Sequence, residues 1–151
     1  MRLTTFTDYN LRVLIYLAIQ PGKRATIAEI ATAFRISESH LMKVVHFLGK
    51  QGFLDNVRGK GGGLMLARPP EEINVGAIVQ LTEADALLAE CFDDDHNACV
   101  ITRVCQLRTV LGEAARAFNA VLSQYTIADL ISTRPQLARI LSIPIEVIGR
   151  K

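Results

Sequence analysis

Ser37-Glu38-Ser39-His40-Leu41-Met42-Lys43-Val44-Val45-His46-Phe47-Leu48-Gly49-Lys50 places two kinds of residue on opposite sides of one helix. Leu41, Val44, Val45 and Leu48 recur at the three- and four-residue intervals that line a single helical face, and such a stripe must be buried. Ser39, Lys43, His46 and Lys50 fall on the other side, with His40 beside them, as a polar and largely cationic row. Ser37 caps this helix, and Gly49 and Gly52 mark its end region. Immediately before it, Thr26 and Glu29 have the spacing of a capping box. Ile27, Ile30, Ala31 and Phe34 then give a short helix that stops near Arg35-Ile36. Two short helices joined by a tight turn, the second with hydrogen-bonding and cationic groups near its start, predict a helix-turn-helix unit with a recognition helix suited to the DNA major groove. A small helical bundle with an ordinary solvated face is the plain alternative.

The flanking segments decide between the two. Phe53 to Val57 and Leu64 to Ala67 predict two short strands around Arg58-Gly59-Lys60-Gly61-Gly62-Gly63, which is a wing. Its glycines let the backbone approach another molecule closely, while Arg58 and Lys60 supply the charge that a phosphate backbone requires. The loop lacks the order of a nucleotide-binding phosphate loop and sits in a hairpin, so that reading is rejected. On the N-terminal side, Thr7 and Asp8 can cap a helix with Leu11, Leu14, Ile15 and Ala18 on one face, ended by Pro21-Gly22. The expected fold is mainly α with a small β-wing: a winged helix-turn-helix region at 1–70, followed by a helical extension.

Beyond Pro69-Pro70, Asn74 can cap a helix through Val75, Ile78 and Leu81, and residues 71–100 form a connecting helix and an acidic cysteine loop. All three cysteines of the chain, Cys91, Cys99 and Cys105, fall inside fifteen residues, with seven and then five residues between them. Three thiols cannot all pair as disulfides, and an odd cluster without secretory features points to metal or redox chemistry. The separations match neither a zinc pair nor a ferredoxin run, and three thiols with no shared role are the plain alternative. An iron-sulfur cluster held by three thiolates needs one further oxygen or nitrogen donor. Val104, Leu107, Leu111, Ala114, Phe118, Val121 and Tyr125 then step by three and four without a break. Packing against its own winged-helix domain is the plain alternative for this seam, but its regularity favours a meeting with its copy, so residues 101–131 read as a dimerisation helix plus a short following helix from Thr126. The tail, 132–151, is apolar after Pro135 and carries no functional signal.

Half the residues are hydrophobic and 21% are charged, which is globular composition. The apolar run Val13 to Ile19 is too short to span a membrane, so a cytoplasmic protein is expected. Net charge is +2, but residues 1–70 carry ten Lys or Arg against four Asp or Glu, and residues 71–151 carry seven against eleven. A basic first half and an acidic second half suggest contact with nucleic acid first and sensing or assembly second. Neither a nucleophile-base-orienter set nor a phosphate-loop signature is present, which argues against an enzyme.

Leu3-Thr4-Thr5-Phe6-Thr7-Asp8-Tyr9, the wing run Val57 to Gly63, Ile73-Asn74-Val75-Gly76, the three cysteines and Tyr125-Thr126-Ile127-Ala128-Asp129-Leu130 together resemble a family of dimeric winged-helix iron-sulfur regulators. Within it the resemblance is to repressors that sense nitric oxide. It implies that Cys91, Cys99 and Cys105 hold a cluster, 4Fe-4S in preference to 2Fe-2S, and that Asp8 of the partner subunit is the fourth ligand. An acidic residue in a first helical turn also suits the helix dipole without any metal, and His96 inside the loop is the local competitor. A related branch that senses cluster supply has a histidine three residues after its last cysteine, where this chain has Arg108. The resemblance further implies a homodimer on double-stranded operator DNA that lets go when nitric oxide attacks the cluster. Ser39, His40 and Lys43, with Ser37 at the helix start, are the candidate base readers, while Arg58, Gly59, Lys60 and Gly61 would grip phosphates or the minor groove. A cluster-free thiol-redox regulator, or a regulator of iron-sulfur status on the same fold, is the alternative.

Overall fold

The computed structural model describes residues 2–84, 88–93 and 95–144 of the chain. Residues 85–87 and 94 of the predicted connecting segment, and 145–151 of the predicted tail, lie outside the described residues. Helix α1 (Thr5–Ile19) leads into α2 (Ile27–Phe34) and α3 (Glu38–Lys50), followed by strands β1 (Leu54–Val57) and β2 (Gly63–Leu66). After a 3-10 turn at Pro70–Glu72 come α4 (Val75–Thr82), 3-10 turns at Glu90–Phe92 and Thr102–Val104, and helices α5 (Gln106–Leu122), α6 (Ile127–Leu130) and α7 (Arg134–Ile140).

The expected capping box on α2 is present in both directions, Thr26 Oγ1 accepting from Glu29 N–H and Glu29 accepting from Thr26 N–H. Arg35 ends this helix in the left-handed region, with φ 55°, and the chain turns at once into α3. Ser37 occupies the N-cap position of α3 but makes no side-chain capping bond; its hydroxyl lies 3.3 Å from that of Ser39. Helix α1 starts one turn earlier than Thr7-Asp8 suggests. Thr4 is its N-cap, because Thr7 is fully buried and its hydroxyl is engaged by Thr82 and Glu83.

The strands pair antiparallel in the register Leu54↔Leu66 to Val57↔Gly63. Gly62 closes the loop where a side chain could not fit, since a Cβ there would lie 2.2 Å from Val57 O. Helix α1 is the hub of the core. Sequence spacing predicts one buried stripe, yet Val13, Leu14, Leu17, Ala18 and Ile19 are all buried, because α6 and α7 return to cover further sides of the helix. Ile127 and Ala138 are fully buried in this same core, so part of the predicted tail completes the N-terminal domain. Arg134 Nε donates to Ile19 O at 2.6 Å, giving the C-terminus of α1 the cation that its own last turn lacks.

Helix α5 is built differently. Its C-terminal end is pinned: Asn74 Nδ2 donates to Ser123 O at 2.8 Å, Val75 N–H to Tyr125 O at 2.9 Å, and Ile127 N–H to Ile73 O at 2.9 Å. Yet the helix has no fully buried residue. Of the predicted seam, Leu111 and Phe118 are half-buried, whereas Val104, Leu107, Ala114, Val121 and Tyr125 are exposed.

Candidate functional site

The buried stripe of α3, Leu41, Val44, Val45 and Leu48, locks that helix into the core and turns the opposite side outward. Ser37, Ser39, His40 and Lys43 are consequently all exposed along the first two turns, followed by His46 and Lys50. These are donors and acceptors of the length that reaches base edges, and Lys43 adds fixed positive charge. Arg58, Gly59, Lys60 and Gly61 are exposed at the tip of the wing, well separated in sequence from α3. Arg24, which sequence spacing does not single out, holds the wing in place. Its Nη1 donates to Gly63 O at 3.2 Å and its Nη2 to Asp55 Oδ2 at 3.1 Å, while Ala25 and Leu64 exchange both backbone hydrogen bonds.

Cys91, Cys99 and Cys105 are free thiols, all of them partly exposed. The segment between them is cross-braced by short-range hydrogen bonds: Ala98 N–H to Glu90 Oε1 at 2.6 Å, and Thr102 Oγ1 to Cys99 O at 2.8 Å. Asp93 Oδ1 accepts from the backbone N–H groups of Asp95 and His96. The His96 ring lies 3.3 Å from Asp93 Oδ2 and is 84% exposed. Phe92 anchors the segment to α5, with the Arg108 guanidinium 5.6 Å from its ring centroid. Among the described residues the cysteines are not drawn into a group that could hold a metal ion. Asp8, far away in sequence on α1, is bound by Arg12 of the same chain at 2.7 and 2.9 Å. The i, i+4 spacing of Asp8 and Arg12 is the signal that could have revealed this pair. By donor chemistry three thiols with one carboxylate suit an iron-sulfur cluster, and the single chain offers the thiols and the carboxylate on separate elements.

Glu83, directly after α4, is a second residue that periodicity does not reveal. Its Oε1 accepts from Thr4 N–H at 2.7 Å and from Thr4 Oγ1 at 2.9 Å, and it is also bonded by Thr7 Oγ1. Burial pushes this carboxyl upward, but the hydrogen bonds from Thr7 and Thr4 outweigh it and hold Glu83 below the usual carboxylate range. The residue therefore ties the first turn of α1, which carries Asp8, to the start of the segment leading to the cysteines.

The sequence profile of the Rrf2 family, described as iron-dependent transcriptional regulators, matches residues 3–133. The chain belongs to the Rrf2 family. It is 46% identical over 144 residues to the HTH-type transcriptional regulator NsrR of Bacillus subtilis, covering 95% of this chain and 99% of that one. It is 48% identical over 142 residues to NsrR of Geobacillus kaustophilus, covering 93% and 97%. Among solved structures, T. potens IscR superposes with a TM-score of 0.71 at 25% identity, covering 88% of each chain. The oxidized form of Staphylococcus aureus CymR does so with a TM-score of 0.68 at 27% identity, covering 87% of this chain and 97% of that one. The winged-helix architecture read from the sequence is thus that of Rrf2 regulators, and this member is a transcriptional regulator and not an enzyme. No helix among the described residues is long and apolar enough to cross a membrane.

Proposed function

We propose that the chain is a dimeric repressor that binds operator DNA through α3 and the wing and senses nitric oxide through an iron-sulfur cluster. Cys91, Cys99 and Cys105 of one subunit would hold it, with Asp8 of the partner subunit as the fourth donor, and 4Fe-4S is the favoured form. When bound, the cluster supplies iron sites with high affinity for nitric oxide. Everything else falls to the protein. Ser39, His40 and Lys43 present base-reading groups, Ser37 stands at the start of the same helix, and Arg58, Lys60 and the Gly59 and Gly61 backbone contact phosphates. Glu83 holds the first turn of α1 against the segment that leads into the cysteine loop, so a force on Asp8 is transmitted to the domain that carries α3. Arg12 gives Asp8 an alternative partner once the donor set is broken. In functional terms, residues 1–70 read DNA, 71–100 sense and 101–131 join the subunits.

The observation that carries this reading is the position of three free thiols on one segment that runs directly into the uncovered seam of α5. A seam of that kind is the natural meeting face of a twofold pair, which would bring the loop of one subunit towards the other. Its test is the iron and sulfide content of anaerobically purified protein against Cys91→Ser, Cys99→Ser, Cys105→Ser and Asp8→Ala. Loss of iron in each cysteine variant and weakened retention in Asp8→Ala are expected; iron retained equally in all four would contradict the ligand set. The second reading, a thiol switch without a cluster, is favoured by the partial exposure of all three free thiols. It requires iron-free protein whose operator affinity changes reversibly with thiol oxidation.

A further inference from the structure

A groove of about 670 Å³ lies between the end of α1, the outer side of α2 and the end of α7. Of the eight residues of α2 only Ile30 and Ala31 are buried, and Ala28, Glu29 and Thr32, which line the groove, are exposed. At the end of α7, Ile140 also lines it and is 77% exposed, with half-buried Leu141 beside it. The described residues end at Pro144, itself part of the groove wall, and the chain continues as Ile145-Glu146-Val147-Ile148. We infer that residues 145–148 of the same chain occupy this groove in an extended conformation, as a strap that fastens α7 to the outer side of α2.

Position, reach, pattern and charge select this segment as the occupant. It begins in the groove wall, so its docking is intramolecular and avoids the entropy cost of bringing in a separate partner. Four extended residues span about 13 Å, enough to cross a single helix of about 10–12 Å diameter. Ile145 and Val147 are β-branched and alternate with Glu146, a pattern that favours extended backbone and turns the two apolar side chains to one side and the carboxylate to the other. The apolar pair matches the Tyr16, Ile140 and Leu141 side chains of the lining, and Glu146 matches the positive charge that Lys23 and Arg35 bring to it. The carboxylate already in the lining, Glu29, is committed to the capping box with Thr26. An exposed ion pair contributes little energy, but opposite charges fix which way the segment lies. Because α2 packs against α3, a strap on its outer side steadies the helix-turn-helix pair. The inference requires neither the cluster nor the dimer.

The test replaces Val147 with the photo-crosslinking residue p-benzoylphenylalanine in the full chain and maps the crosslinks by mass spectrometry. Isotope-labelled unsubstituted protein is mixed in, which separates links within one chain from links between chains. Links within one chain to residues 16–24 or 28–35 are expected. Links to other regions, links only between chains, or no links overturn the inference. Independently, hydrogen exchange is compared between the parent and Val147→Asp in the full chain. The amides of α2 are expected to exchange about tenfold faster in the variant while those of β1 and β2 are unchanged. Equal exchange of α2 in the two proteins overturns the strap.

Discussion

Glu83 shows how one side chain joins parts of the chain that the sequence keeps far apart. Its carboxylate accepts hydrogen bonds from Thr4 and Thr7 across more than seventy residues, and those bonds favour the ionised form. A carboxyl whose folded-state pKa is lowered stabilises the protein above its ordinary range, and that contribution is lost as the pH falls through the folded value. Chemical denaturation across the acid range should therefore show a shallower loss of stability in Glu83→Gln than in the parent, with the neutral-pH stability reduced. A parallel offset at all pH values would contradict the assignment. Arg35 makes the opposite kind of point. It holds a left-handed backbone at the end of α2, a conformation that costs an L side chain about 1 kcal/mol or more. Arg35→Gly should raise the unfolding free energy by about 1 kcal/mol in urea melts.

At the level of elements, the wing and α5 separate what was legible in the sequence from what was not. The strand pair, the glycine loop and the capped helices α2 and α4 follow from local signals, namely capping spacing, alternation and turn residues, and they stand where those signals put them. The start of α1 was misplaced by a turn because Thr4, Thr7 and Asp8 all have capping chemistry, and only the tertiary contact with Glu83 commits Thr7 to the interior. The return of α6 and α7 onto α1 was invisible, because a short apolar segment does not say which core it joins. Of the candidate site, the exposed row on α3 and the wing tip were readable from periodicity. Arg24 and Glu83 were not, since their roles are set by contacts between elements, whereas the Asp8–Arg12 pair is signalled by its i, i+4 spacing. The crossing of α4 and α5 gives a sharp prediction. A Cβ at Gly76 would lie 2.3 Å from Ser123 Oγ and 2.8 Å from Ser123 N, so Gly76→Ala should destabilise the fold by about 1–3 kcal/mol, read as a lower denaturant midpoint. In the wing, Lys60→Ala should weaken binding to all DNA sequences alike and reduce the salt slope by about 1, whereas a loss confined to one base position would contradict a phosphate contact.

On the scale of the whole molecule, the chain divides into a well-buried N-terminal core and a long helix with no buried residue of its own. That contrast is what a twofold assembly would resolve. Leu107 is 62% exposed, so Leu107→Glu should cost the folded chain no more than about 0.5 kcal/mol, yet it should convert a dimer to monomer in light scattering. Two recognition helices can engage a twofold operator only when their half-sites are about 34–36 Å apart or a multiple of that. In the proposed dimer, a change that loosens the cysteine loop from α1 of the other subunit would therefore act on DNA binding through geometry. The most direct measurement is a nitric oxide titration of anaerobically purified protein with its operator duplex, following visible absorption and DNA anisotropy in one sample. The account predicts an iron-sulfur absorption band that bleaches in step with release of the DNA. Protein that binds no iron even after reconstitution, or that keeps its operator while the band disappears, would contradict it.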